Sequence, residues 1–188
     1  RQMCIRDSMW AVHQIYNTLV EIDSNLNIVP SLAKSWEVSE DRKTYRFHLR
    51  TNVYFTNDDA FKGGAGRKLV ASDVAFSLGR IIDKTVASSG AWIFNGRVDS
   101  VMPFVVINDS TFELRLQRPF HPIMGILSTQ YCSVVPKEVV EKYGKDFRRH
   151  PCGTGPFTLK SWDEGEALIL HKNKNYWEVD TAGVRLPY

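Results

Sequence analysis

The segment Cys152-Gly-Thr-Gly-Pro-Phe-Thr-Leu-Lys-Ser-Trp162 decides how the rest of the chain is interpreted. Its Gly-x-Gly-Pro unit predicts a tight turn, because glycine supplies the backbone freedom that such a turn needs. The turn leads directly into a predicted strand that ends at Trp162. The segment Asp163-Glu-Gly-Glu166 predicts a charged turn, and residues 167–171 predict a second strand. The last quarter of the chain is therefore expected to contain a β-hairpin.

Neither glycine cluster of the chain fits a nucleotide-binding loop. Thr158 stands where the third glycine of a dinucleotide fingerprint would be, and a strand follows where a helix is required. The second cluster, Gly64-Ala-Gly-Arg-Lys68, lacks the spacing of a phosphate-binding P-loop. We interpret residues 56–69 as a flexible surface loop.

The composition indicates a folded protein of one or two domains. The chain has 188 residues, of which 43% are hydrophobic and 24% charged, with a net charge of +3. Basic residues are scattered among acidic ones, so no nucleic-acid partner is expected. No apolar run has the length of a membrane span, and residues 1–8 contain no apolar stretch typical of a signal peptide.

The hydrophobic pattern predicts a mixed α/β (α+β) protein with antiparallel and mixed sheets and packed helices. Tyr45, Phe47 and Leu49 alternate with polar residues and predict a strand with one face in water. In a predicted hairpin, Phe112 is expected to face the core and Glu113 to face water. Helices are predicted over 9–22, 72–84, 119–127 and from Pro136 to near Gly144, with a helical turn at Pro30. The helix over 72–84 is expected to be capped by Ser72 and to bury Val74, Leu78, Ile81 and Ile82. Strands are predicted over 44–50, 98–106, 110–117 and 132–135.

No catalytic or metal-binding motif is present in the sequence. There is no Gly-x-Ser-x-Gly and no HExxH, and the five histidines are dispersed. Cys152 lies close to His150 in sequence, but such proximity does not define a catalytic pair. We therefore predict that the chain is not an enzyme and carries no metal or other cofactor.

Cys132 and Cys152 leave two interpretations open. They are twenty residues apart, and no CxxC pair gives them the spacing of a zinc site. In an exported protein they could form a disulfide, whereas in the cytosol they would be two independent buried thiols.

Short motifs in a fixed order give the chain a family resemblance. Together they resemble family 5 of the extracytoplasmic solute-binding proteins, which serve peptide, dipeptide and nickel ABC importers. The motifs are Ile15-Tyr-Asn-Thr-Leu-Val20, Pro30-Ser-Leu-Ala-Lys-Ser-Trp36, Tyr45-Arg-Phe-His-Leu-Arg50, Ser72-Asp-Val-Ala-Phe-Ser-Leu-Gly-Arg80, Val135-Pro-Lys137, Gly153-Thr-Gly-Pro-Phe157 and Asn175-Tyr-Trp177.

This resemblance implies part of a two-lobed receptor with a periplasmic-binding-protein type II-like fold. Residues 9–29 would begin lobe I, residues 30–149 would form a smaller subdomain, and residues 150–188 would return into lobe I. The opposing lobe would be absent from this chain. Residues 1–8 match nothing in the family and are expected to be a non-native leader, or else a genuine but poorly ordered terminus.

The resemblance also implies a function. The protein would capture peptides, or a related small solute, by lobe closure and deliver them to a membrane permease. It would be a monomer, periplasmic or anchored at the cell surface as a lipoprotein, with the export signal missing from this sequence. An alternative is a receptor that feeds a sensor kinase or a chemoreceptor.

The family's cleft-facing turns point to a set of ligand-binding residues. Trp92 is the best candidate, because it lies beside the small residues Ser88, Ser89 and Gly90. Core packing is the competing interpretation for every member of the set. The set comprises Met9, Trp10, Ser88, Trp92 and Tyr131. In the family an apolar residue is common at position 152, so the resemblance favours a disulfide between Cys132 and Cys152.

Overall fold

The structure, a computed structural model, describes residues 5–163 and 166–187. The chain forms two compact units in it. Unit 1 contains residues 5–17, Asn52–Leu69 and residues 135–187, and unit 2 contains Thr18–Thr51 and Val70–Val134. These bounds differ from the predicted segments, because Asn52–Leu69 and residues 135–149 fold with the two ends of the chain.

Unit 2 is built on a four-stranded antiparallel sheet. Its strands lie in the order β3 (Ala33–Val38), β4 (Thr44–Leu49), β6 (Thr111–Arg115) and β5 (Phe104–Asn108). The predicted alternation is confirmed, since Tyr45, Phe47 and Leu49 are buried. Phe47 lies opposite Phe112, and their ring centroids are 6.3 Å apart. All strand pairs in the described part of the chain are antiparallel, so the expected mixed sheets are not found there.

Helix α2 (Ala71–Ile82) packs on β5 and β6. Val74, Leu78 and Ile81 are buried as predicted, whereas Ile82 is exposed. The predicted cap at Ser72 is wrong, because the helix begins one residue earlier. The carboxylate of Asp73 accepts a hydrogen bond from the Val70 N–H at 3.0 Å instead, which satisfies one of the free donors at the helix start.

The first helix is shorter than predicted. α1 (Ile5–Ile15) ends where residues 16–19 become buried, and Val20–Ile22 then forms β1, which pairs with β2 (Ile28–Pro30) in unit 2. Strand pairing therefore overrides the helical periodicity that predicted a helix to Ile22. The predicted helical turn at Pro30 is wrong for the same reason. Residues 1–4 of the expected leader lie outside the described residues.

Two predictions between residues 119 and 143 change as well. The predicted helix over 119–127 shortens to α3 (Ile123–Leu127). The strand predicted over 132–135 is wrong, because a 3-10 turn occupies Gln130–Cys132 and no ladder follows. The helix predicted from Pro136 is confirmed as α4 (Lys137–Tyr143), with Val139 and Val140 buried.

Unit 1 contains the predicted closing hairpin of β7 (Phe157–Asp163) and β8 (Ala167–Lys172). Helix α1 contacts β7. The Gly153–Gly155 turn lies against the end of α1, where the Gly155 N–H donates to the Ile15 carbonyl at 2.9 Å. No described helix is both long enough and apolar enough to cross a membrane.

Both described cysteines are free thiols, so the predicted disulfide is not present in this structure. Cys132 belongs to unit 2 and Cys152 to unit 1. Each is buried within its own unit. The Cys152 thiol donates to the Thr56 carbonyl at 3.2 Å, which gives it a local partner in place of a second sulfur.

Candidate ligand-binding surface

Trp92 projects from a rigid 3-10 turn of unit 2 (Ala91–Ile93). The turn is closed by hydrogen bonds from the Ala91 N–H to the Ser88 carbonyl and from the Ile93 N–H to the Gly90 carbonyl, at 3.1 and 3.0 Å. Ile93 and the following Phe94 are fully buried, whereas Trp92 is 55% exposed. The two buried neighbours anchor the backbone, so the indole is held at the surface by a fixed support.

Tyr131 lies on the other side of Gly90. A side chain at position 90 would place its Cβ 2.9 Å from the Tyr131 ring, so only glycine allows this ring to pack against the backbone there. Tyr131 remains 40% exposed. Ser88 is half-buried, and its hydroxyl accepts a hydrogen bond from the Gly90 N–H at 3.1 Å. Ser88, Trp92 and Tyr131 are therefore brought together around Gly90.

The Arg97 side chain stabilises the turn that carries Trp92. Its guanidinium donates to the carbonyls of Trp92 and Ile93, and it lies over the Phe120 ring with 4.7 Å between Cζ and the centroid. These carbonyls would otherwise lack a partner at the end of the short turn. The sequence interpretation did not identify this role of Arg97. The sequence shows only that Arg97 lies five residues after Trp92, close enough along the chain for its side chain to reach the turn.

The other two predicted residues belong to unit 1. Trp10 and Met9 lie on α1, where Trp10 is 63% exposed and Met9 is half-buried. Trp10, Trp92 and Tyr131 therefore all expose much of their side chains in this structure. Whether any of the five residues contacts a ligand stays a prediction.

The side chains of this surface are suited to binding. Cys132, next to Tyr131, is buried, and burial raises the pKa of its thiol to about 12, so the thiol is neutral near pH 7. Among the residues that the structure describes, no three His, Cys, Asp or Glu side chains are placed to hold a metal ion. Two exposed aromatic rings beside a half-buried hydroxyl can cover an apolar or planar group and donate hydrogen bonds to it.

The amino-acid sequence is similar to those of known proteins. Residues 27–188 match the family model described as "Bacterial extracellular solute-binding proteins, family 5 Middle". The chain is 34% identical over 177 residues to the "Probable ABC transporter periplasmic-binding protein SapA" of Escherichia coli (strain K12), covering 87% of this chain and 32% of that protein. It is 31% identical over 184 residues to the dipeptide-binding protein of the same organism, covering 89% and 34%.

Solved structures show the same likeness. The periplasmic binding protein DppA from Helicobacter pylori, in complex with the peptide STSA, superposes with a TM-score of 0.80 at 31% identity over 94% of this chain and 37% of that chain. This likeness confirms the predicted type II fold and the mixed α/β class. The chain spans about a third of the length of the curated relatives that it matches.

Proposed function

The chain belongs to family 5 of the bacterial extracellular solute-binding proteins, and we propose that it forms part of the receptor of an ABC importer. This receptor captures a peptide or a related small solute outside the cytoplasm and delivers it to a membrane permease. The relatives reported above are named as binding proteins of transporters, which supports import and offers nothing for a sensor kinase or chemoreceptor. The protein acts as a monomer and by binding, without catalysis.

The exposed Trp92 carries this proposal. Trp92 is 55% exposed, so a solute that covers its indole would gain favourable apolar burial on binding. The rigid turn supports the same conclusion, because a preorganised group loses little conformational entropy when a ligand arrives. Tyr131 lies beside the same Gly90 and enlarges the apolar area that a solute would cover.

Capture uses the closure of two lobes in this proposal. A single lobe contacts only one side of a solute, whereas two closed lobes contact it on both sides and exclude water. The solute therefore binds the closed state more tightly and shifts the equilibrium toward closure. About two-thirds of each relative lies outside the match, and this part would supply the opposing lobe. We therefore expect the 188-residue chain alone to give no peptide-induced heat in calorimetry.

A chimera tests the proposal. Residues 9–188 replace the matching part of the Escherichia coli dipeptide-binding protein, and dipeptide binding is measured by calorimetry after circular dichroism has shown that the chimera folds. We expect saturable binding. Trp92→Ala should weaken it about tenfold, which corresponds to about 1.4 kcal/mol, because a covered aromatic anchor is lost.

Leu49→Ala is the control. Leu49 is buried in β4, outside the turn that carries Trp92, so its truncation should destabilise the protein by about 2–5 kcal/mol and lower its melting temperature, while the affinity of the folded protein stays unchanged. The reverse pattern, in which Trp92→Ala lowers the melting temperature and spares affinity, would assign Trp92 to the core. A folded chimera that binds no dipeptide would count against a peptide ligand.

A further inference from the structure

Unit 1 contains an open cleft to which no function has been given above. Its volume is about 790 Å³, within the range of roughly 300–1,000 Å³ that small-molecule sites occupy. One wall comes from the segment around Tyr54 and Asn57, and the other from the end of β8 and the turn that follows it, Lys172 to Asn175. Trp177 and Arg185 complete the lining.

The charges of this cleft all have one sign. Lys172, Lys174 and Arg185 line it, and no aspartate or glutamate does so among the described residues. No ion pair joins either lysine to a carboxylate in the described part of the chain. Three cations that share a concave surface raise the local positive potential and attract an anion.

The turn that carries the lysines is held in place by hydrogen bonds. The Asn173 N–H donates to the Pro156 carbonyl at 2.8 Å, and the Asn173 side-chain amide donates to the Gly155 carbonyl at 2.9 Å. The side-chain oxygen of Asn173 accepts the Asn175 N–H at 3.0 Å. Because Asn173 is buried and satisfied, the flanking Lys172 and Lys174 leave from a fixed backbone.

Arg185 is also positioned. One of its terminal nitrogens donates to the Tyr176 carbonyl at 3.0 Å, and its planar fork carries further donors that suit an anionic ligand. Tyr54 also lines the cleft and is half-exposed, and the hydroxyl of a phenol can donate to an anion. Positive charge and neutral donors therefore face the same volume.

We infer that this cleft binds a small organic or inorganic polyanion through Lys172, Lys174 and Arg185. Carboxylates and phosphates share the chemistry that these groups recognise, namely several oxygens with a negative charge. The cleft lies in unit 1, whereas Ser88, Trp92 and Tyr131 of the candidate solute surface belong to unit 2.

Calorimetry on the 188-residue chain at low salt tests the inference, with citrate and inorganic pyrophosphate as the two probes. We expect saturable binding of at least one probe with one site per chain, and the preferred probe tells carboxylate from phosphate. Lys172→Gln combined with Lys174→Gln should weaken it at least about tenfold, because two charges that interact directly with the anion are removed. Arg185→Gln, with both lysines unchanged, should also weaken binding.

The control variant combines Lys145→Gln with Lys160→Gln. It removes the same charge from exposed lysines of unit 1 that do not line the cleft, and it should bind like the unchanged chain. Melting curves establish that all variants fold. Failure of both probes to bind would overturn the site, and so would an equal loss in the control, which would indicate general charge attraction. Neither result bears on dipeptide binding by the chimera, which tests the import proposal separately.

Discussion

At the scale of single residues, the two glycines of the Gly153–Gly155 turn show why this turn is built as it is. A Cβ at position 153 would lie 2.1 Å from the Ile15 carbonyl oxygen, and one at position 155 would lie 2.5 Å from the Ile15 carbonyl carbon. Both neighbours are backbone atoms that cannot rotate away. The sequence interpretation as a backbone turn is confirmed, and its reason is the close approach to the end of α1.

Gly153→Ala is expected to destabilise the protein by about 1–3 kcal/mol or more, because overpacking against backbone forces the turn and α1 apart. Urea unfolding measures the change. Gly79→Ala is the control: Gly79 lies in α2 with no atom within 4 Å of the added Cβ, so alanine should stabilise the protein by up to about 1 kcal/mol. Equal unfolding midpoints for the two variants would contradict the close-approach argument.

Glu113 is a residue whose environment differs from the prediction. It was expected to face water, but its side chain is only 4% exposed. Arg46 and Arg115 each donate to one of its oxygens at 2.8 Å. Burial by itself raises the pKa of this carboxyl, but the hydrogen bonds from Arg115 and Arg46 outweigh burial, so the pKa lies below its usual value of 4.5.

This lowered pKa predicts a pH dependence. A carboxylate with a depressed pKa contributes stability above its unfolded-state pKa, and that contribution is lost as the pH falls through the folded-state value. Glu113→Gln should therefore destabilise the protein by about 1–3 kcal/mol at pH 7 and by progressively less below about pH 4. Glu37→Gln, which removes a more exposed partner of Arg46, should change little at either pH. Parallel pH curves for Glu113→Gln and the unchanged chain would contradict the prediction.

At the scale of elements, the loop over residues 56–69 is more ordered than predicted. The sequence indicates a flexible surface loop, and Lys62 and Gly63 are indeed exposed. However, Arg67 lies over the rings of Phe55 and Phe61 and donates two hydrogen bonds of 2.7 Å to the Glu138 carboxylate on α4. This bidentate pair ties the loop to a helix 71 residues further along the chain.

Glu138→Gln should loosen this loop. The amide cannot accept both guanidinium hydrogen bonds, so we expect trypsin to cleave after Lys62 or Arg67 several times faster than in the unchanged chain. Limited proteolysis with mass spectrometry identifies the cut. Glu141→Gln, on the same helix, removes an exposed pair with Lys137 and should leave the cleavage rate unchanged. The same acceleration in both variants would show that the loop does not depend on Arg67 and Glu138.

At the scale of the whole molecule, the two described cysteines are free thiols, and each is buried within its own compact unit. Cys132 and Cys152 are buried in different units, and the expected disulfide was inferred from a family resemblance that contains no information on their distance. Burial raises the pKa of the Cys152 thiol to about 12, as it does for Cys132. At pH 8 only about one thiol in ten thousand is then ionised.

Thiol reactivity therefore gives a test of this arrangement. In a Cys4→Ser variant, both remaining thiols should react very slowly with a disulfide reagent at pH 8 in the folded protein. In denaturant without reductant, both should react at once, because unfolding restores an ordinary cysteine pKa. A reduced sample provides the reference count. If no thiol reacted in denaturant before reduction, the disulfide would be present and the structure would be wrong at this point.

Local sequence patterns predicted the elements whose hydrophobic period agrees with their tertiary environment. Strand β4, the β7–β8 hairpin, α2 and α4 all follow this rule. The predictions fail where tertiary contacts override the local preference. The stretch from Val20 to Ile22 has a helical period but pairs with β2, and Cys132 and Val134 are buried without joining a sheet. Strand pairing and burial depend on partners that a local window does not contain.

The sequence by itself determined the family and the fold class, and it indicated Trp92 as a candidate ligand contact. These follow from short motifs and residue types, which are local properties. Only the tertiary structure decided that the cysteines are free, that Glu113 is buried between two arginines, and that Lys172, Lys174 and Arg185 share one cleft. The physical reason is that distance and burial belong to pairs of residues far apart in the chain, and only folding brings such pairs together.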